Sequence, residues 1–122
     1  MSRSASRSTA NVRRAEAVQK VLEIEALPKG GLDASAEFYC DYLEDAQALL
    51  AQSGTSALVI LLPAAGPDHD DWRLALARDL ARAHPPKRVN VVGADDDAAK
   101  GELLAYLRDA PGMTGQYLQS HE

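Results

Sequence analysis

Six consecutive apolar residues, Ala57 to Leu62, lie between Thr55-Ser56 on one side and Pro63 on the other. The run is rich in β-formers, too short for an ordinary helix, and uninterrupted by polar residues, so it describes a strand covered on both faces. Such a strand belongs in the middle of a parallel sheet, because crossover helices are what cover both sides.

The flanking segments supply that sheet. Residues 18–27 alternate, with Leu22, Ile24 and Ala26 on one face and Val21, Glu23, Glu25 and Leu27 on the other, as in a half-solvated edge strand. Lys29-Gly30-Gly31 breaks it. Asp33 is then a suitable N-cap for a helix to about Ser53, with Gly54 as its C′ residue and Phe38, Tyr42, Ala46, Leu49 and Leu50 on its apolar stripe. Asp68 caps a further helix, with Asp71 at the capping-box position, running to the Pro85-Pro86 stop. Residues 87–94 form a third strand, Asp95 to Asp97 open a helix through Leu103, Leu104 and Leu107, and residues 113–119 make a last short strand. Strands and helices alternating over short links predict right-handed βαβ units: an α/β, three-layer domain with a small, mostly parallel sheet of about four strands and about three helices.

With 122 residues there is room for one core. Residues 1–18 lack aromatics and periodicity and are expected to be a disordered basic leader, leaving 19–122 as the single domain. The first 20 residues hold Arg3, Arg7, Arg13, Arg14 and Lys20 against Glu16, a balance of +4; the remainder holds eight basic and seventeen acidic residues, a balance of −9. Such a body repels nucleic-acid phosphates. No apolar run is long enough to span a membrane, and the leader has no apolar segment of the kind secretion uses. Cys40 is alone, which excludes an internal disulfide, suits the cytoplasm, and is expected to be a small buried hydrophobe.

Three segments in order resemble the C-terminal half of the short-chain dehydrogenase/reductase family: LALARDLA (74–81) resembles the end of its active-site helix, RVNVV (88–92) its "RVNAV" strand, and Thr114-Gly115-Gln116 the "TGQ" before its last strand, with LLAYLRDAPG (103–112) preceding it. The match covers Thr55 to Gln119 and implies a Rossmann-like fold. The departures concern chemistry. The family's TGxxxGxG phosphate turn is replaced by PKGGLD (28–33). Counting back from Ala75 puts Leu62 where the family's catalytic Tyr stands and Gly66 where its Lys stands, and neither exchanges a proton. No Tyr-x-x-x-Lys occurs elsewhere: Tyr39, Tyr42, Tyr106 and Tyr117 are followed four positions on by Leu43, Ala46, Ala110 and His121. Ala94-Asp95 replaces the family's Pro-Gly turn, and the interval from Asp95 to Thr114 is too short for the helices that cover its substrate.

No catalytic residue and no cofactor are therefore expected, with vestigial binding of NAD(P) or another nucleotide left open. Lys29, Gly30 and Gly31, with Ala65, Gly66 and Gly93 at strand ends, are the candidate anion-binding residues. Asp68, His69, Asp70 and Asp71 read as a helix start rather than a metal site, since consecutive helical residues do not converge on one ion; His84 and His121 suggest no relay. Asp95, Asp96 and Asp97 resemble the acidic pocket of phospho-acceptor receiver domains, but that pocket also needs acids at the end of the first strand, where Leu27-Pro28-Lys29 is read. The helix before Pro85 carries two apolar stripes, Trp72, Ala75, Leu76, Leu80 and Ala83 on one and Leu74, Ala77 and Ala81 on the other. In the family the comparable helix helps form a subunit interface. Trp72, Leu74, Ala77 and Ala81 are thus the candidate interface, for a homodimer or for a full-length dehydrogenase-like partner. Three readings follow, in order: a non-catalytic protein acting by association, a small nucleotide- or anion-binding domain, and an NAD(P)-dependent oxidoreductase.

Overall fold

The computed structural model describes residues 18–120; of the expected leader all but Val18 lies outside the described residues, as does His121. The elements are β1 (Gln19–Glu23), α1 (Gly31–Asp41), α2 (Leu43–Ala51), β2 (Ala57–Leu62), a single 3-10 turn (Pro67–His69), α3 (Asp70–Ala83), β3 (Arg88–Gly93), α4 (Asp97–Arg108) and β4 (Gln116–Gln119). The strands form one sheet in the order β1-β2-β3-β4, and every pair is parallel. Four helices stand where about three were expected. Among the described residues no helix is long and apolar enough to cross a membrane.

In-register pairing sorts side chains into rows. Leu22, Ile60, Val91 and Tyr117 align across the four strands, and Glu23, Leu61, Val92 and Leu118 form the next row on the opposite face. The first face packs against Phe38, Ala46, Leu50, Leu76, Ala77 and Leu80 from α1, α2 and α3. The second is covered by Leu103, Leu104 and Leu107 of α4. β2 is buried at all six positions, as its unbroken apolar run requires. β1 is the edge strand expected, but it ends at Glu23, so Ala26 lies past it and is exposed.

The single helix read over 33–53 is two helices with a break at Tyr42, whose φ of −125° leaves the helical range. The cause is geometric. Phe38, Tyr42, Ala46 and Leu50 recur every fourth residue, and on a 3.6-residue helix each such step drifts by about 40°. A straight helix would carry Leu50 away from Phe38's face; the break resets the phase, and Phe38, Ala46 and Leu50 all end up buried.

Helix ends depart from the local capping rules. α1 begins at Gly31 rather than after Asp33, which sits in its first turn. α2 ends at Ala51 with Gln52 extended, so Gly54 is not its C′ residue. Its last carbonyls are met from elsewhere: Thr55 Oγ1 donates to Leu49 O (2.8 Å), and Lys87 Nζ donates to Leu50 O and Gln52 O. Arg88 Nη1 likewise donates to Leu107 O and Ala110 O at 3.1 Å each, closing α4. Lys87, Arg88 and Arg108 line a cleft of about 660 Å3 at the amino ends of the strands, but the first two are committed to these carbonyls and Arg108 pairs with Asp109. Asp96 caps α4 as read, accepting from Ala99 N. Cys40 is exposed, not buried, because it lies on α1's outer face two residues past Phe38.

Phe38 joins the helical layer, its ring 5.9 Å from Trp72 and 6.1 Å from Tyr42. Phe38→Ala removes a wholly buried ring, so urea unfolding is expected to show a loss of roughly 3–5 kcal/mol.

Candidate functional site

α3 packs across β3 and β4, and its inward face is Arg73, Leu76, Ala77 and Leu80. That face borrows from both predicted stripes, while Ala75 and Ala83 point out. Ala77 is wholly buried in the core, Trp72 and Ala81 are half-buried against it, and Leu74 is half-exposed. Much of the double stripe is thus accounted for within the chain; Ala75 and Ala83 are exposed and Leu74 is half-exposed.

The residue apolar patterning passed over is Arg73. It is 1% exposed and sits one turn before Leu76 and Ala77, near the carboxyl ends of the strands. Its Nη1 donates to Pro63 O (2.8 Å), just past β2, and to the Tyr117 hydroxyl of β4 (3.2 Å). The Tyr117 hydroxyl donates to Gln119 Oε1 (2.7 Å), which also accepts from Ala65 N (3.0 Å), while Gln119 Nε2 donates to Ala65 O (2.8 Å). The guanidinium carbon lies 5.5 Å from the Trp72 ring centre and 5.6 Å from that of Tyr117. A charged residue at an inward helical position, three and four residues before Leu76 and Ala77, is the sequence signal that could have found it.

Gly93 takes its meaning from this network. A Cβ there would stand 2.9 Å from both Arg73 Nη1 and Gln119 Oε1, so glycine at the end of β3 gives the cluster its room, and a larger residue would push these side-chain ends aside. Burial pushes the Tyr117 phenol above its ordinary value; Arg73 pulls the other way, and Asp70 adds to the rise.

The neighbouring turn is also occupied from within. Gly31 N donates to Asp68 Oδ2 (3.0 Å), and a Cβ on Gly31 would collide with the Asp68 carbonyl. Asp68 therefore serves α1, not the helix it was expected to cap, which begins after His69 with Asp70 and Asp71 in its first turn. His69 is buried: its Nε2 meets Lys29 O at 2.7 Å and its Nδ1 meets Trp72 Nε1 at 3.2 Å. A carbonyl only accepts and an indole only donates, which assigns the proton to Nε2 and leaves no lone pair for a metal. Among the described residues no group of three or more His, Cys, Asp or Glu is placed to hold one.

Lys29, Ala65, Gly66, His69 and Arg73 come together around a cleft of about 280 Å3, so five of the candidate and neighbouring residues do share a place. Gly30 and Gly31 face a separate groove of about 590 Å3 with Leu32, Asp68 and Trp72. Across the strand ends, Glu23 and Glu25 line a smaller cleft of about 200 Å3 with Asp95 and Lys100. The end of the first strand thus presents Glu23 and Glu25, not Leu27-Pro28-Lys29, beside Asp95; Asp95 itself accepts from Ala64 N and Lys100 pairs with Glu23.

These residues do not fit the dinucleotide that the resemblance raises. The glycine turn presents its amide to a carboxylate already in place, the acids past β1 and β3 repel a diphosphate, and both strand-end clefts are below the roughly 300–1,000 Å3 of ordinary ligand pockets.

A family model described as short chain dehydrogenase-like protein (SDR-like) matches residues 22–120. No curated protein and no solved structure matches the chain.

Tyr117→Phe removes one partner from Arg73 and one from Gln119, each of which keeps another bond. The expected loss is roughly 0.5–1.5 kcal/mol in urea unfolding. Because the folded phenol holds its proton to higher pH than the unfolded one, its contribution is complete below its ordinary value near 10 and is lost as pH climbs through the raised value. Stability should therefore fall as pH rises from about 10 toward the raised value, and less steeply in Tyr117→Phe than in the parent.

Proposed function

The chain belongs to the short chain dehydrogenase-like family, and on that premise we propose that it is a Rossmann-like member without catalytic activity, working in the cytoplasm by pairing with a second copy of itself. The observation that carries the pairing is Leu32, 88% exposed at the start of α1. Tyr39, seven residues on, shares its helical face and is 41% exposed. A single exposed leucine is ordinary. This one stands at the lip of the 590 Å3 groove between the starts of α1 and α3, with Trp72 in its wall.

A protruding side chain next to a groove suits two-fold association, since each copy offers Leu32 to the groove of the other. Trp72 and the half-exposed Leu74 then belong to the contact, in keeping with the interface role of the comparable family helix. The absence of catalysis is supported by the strand ends. Leu62 and Gly66 exchange no proton, and the Tyr117 hydroxyl is held between Arg73 and Gln119. Cys40, exposed on α1, suits a reducing compartment.

Sedimentation equilibrium of the full chain is expected to show a dimer at high micromolar concentration and a monomer for Leu32→Glu, with the melting temperature unchanged at dilutions where the parent is also monomeric. Asp33, Asp68 and Asp71 rim the groove, so pairing should strengthen as salt rises from about 0.02 M to about 0.5 M and screens them. A strict monomer, or a dimer indifferent to Leu32→Glu, would sink the pairing. Turnover of a nicotinamide cofactor that survives purification would sink the non-catalytic reading.

A further inference from the structure

Arg73 is a buried cation without a counter-charge. Among the described residues no carboxylate lies within ion-pair distance of it. Its Nη1 is committed to Pro63 and Tyr117, but its Nε is buried with no hydrogen-bond partner at all. A guanidinium carries five donors in a planar fork suited to oxyanions, and a buried donor left unmade is costly. Arg73 also forms part of the wall of the 280 Å3 cleft, and so does Lys29, while no acidic residue lines it. Asp68, the nearest acid to His69 at 3.8 Å, lines the adjoining groove and is tied to Gly31.

From the buried unpaired guanidinium, its unmade Nε–H and a small cleft whose charged lining residues are Lys29 and Arg73, we infer that this is a binding site for the oxyanion group of a small metabolite, a carboxylate or a phosphate ester. Arg73 is the fixed donor and Lys29 the mobile cation at the rim. The cleft volume admits a small molecule and excludes a dinucleotide, so the site is distinct from the glycine-turn cradle and from the pairing surface. Binding neutralises the guanidinium and adds a ligand-side partner to the strand-end network of Arg73, Tyr117 and Gln119.

The test is a melting-temperature titration of the full chain with inorganic phosphate and, separately, with acetate, each against sodium chloride of equal ionic strength. A saturable rise with either is expected, because a ligand that binds the folded state stabilises it; phosphate alone points to phosphate esters, acetate alone to carboxylates. Lys29→Gln, an exposed position, should keep the ligand-free melting temperature and raise the half-saturating concentration about fivefold. The Arg73 side-chain Nε–H resonance of the unsubstituted protein should shift along the same titration, which keeps the test independent of whether Arg73 variants fold. No saturable rise with either anion, an Nε–H signal that stays still, or equal affinity in Lys29→Gln would overturn the inference. Dimerisation should be unaltered by Lys29→Gln, so failure here and failure of the pairing are separable.

Discussion

A guanidinium taken out of water costs several kcal/mol unless its new surroundings replace the hydration. Around Arg73 those surroundings are the Pro63 carbonyl, the Trp72 ring, and the hydroxyl and ring face of Tyr117, drawn from three parts of the chain. The ends of β2, β3 and β4 are arranged about it. β2 must stop so that Pro63 turns its carbonyl inward, β3 ends in Gly93, which leaves space, and β4 must deliver Tyr117 and Gln119 from alternate positions on one face. Gln119 then bridges back to Ala65 in both directions, holding the loop after β2 in place. The carboxyl edge of the sheet, where α/β proteins ordinarily receive ligands, is here largely closed by the chain's own polar groups.

The second closure is Asp68. A glycine at a helix start offers an amide and a positive dipole end, the usual elements of a phosphate cradle. In this chain the same elements meet a carboxylate from the turn before α3. Gly31 is needed for close approach of backbone to backbone, so a glycine read as a candidate anion-binding residue serves packing. The chain belongs to the short chain dehydrogenase-like family, and its parallel sheet and crossovers are in place while groups at the sheet's carboxyl edge are turned toward one another.

Much of the architecture was legible because it is written in local patterns. The unbroken run in β2, the alternation in β1 and the stripe through Phe38, Ala46 and Leu50 each follow from burial acting on neighbouring residues. What escaped depends on partners distant in sequence. Asp33, Gly54 and Asp68 satisfy capping rules locally, yet α2 is closed by Lys87 and α1 is entered under Asp68, contacts across more than thirty residues. The break at Tyr42 is implicit in the four-residue spacing, which drifts by about 40° per step on a regular helix. Arg73 was passed over because a search for apolar faces skips charged residues. Of the candidate site, Lys29, Ala65, Gly66 and Gly93 were placed near the strand ends, and the side chain around which they gather was not among them.

The glycine turn and the Arg73 guanidinium are both engaged from within the chain, and calorimetric titration of NAD, NADH, NADP and NADPH into the full-length protein tests the consequence most directly. No saturable heat at millimolar cofactor is the predicted result. Stoichiometric binding of any of the four at micromolar concentration would contradict it, since Asp68 and the Arg73 network would then have to yield the positions they hold here.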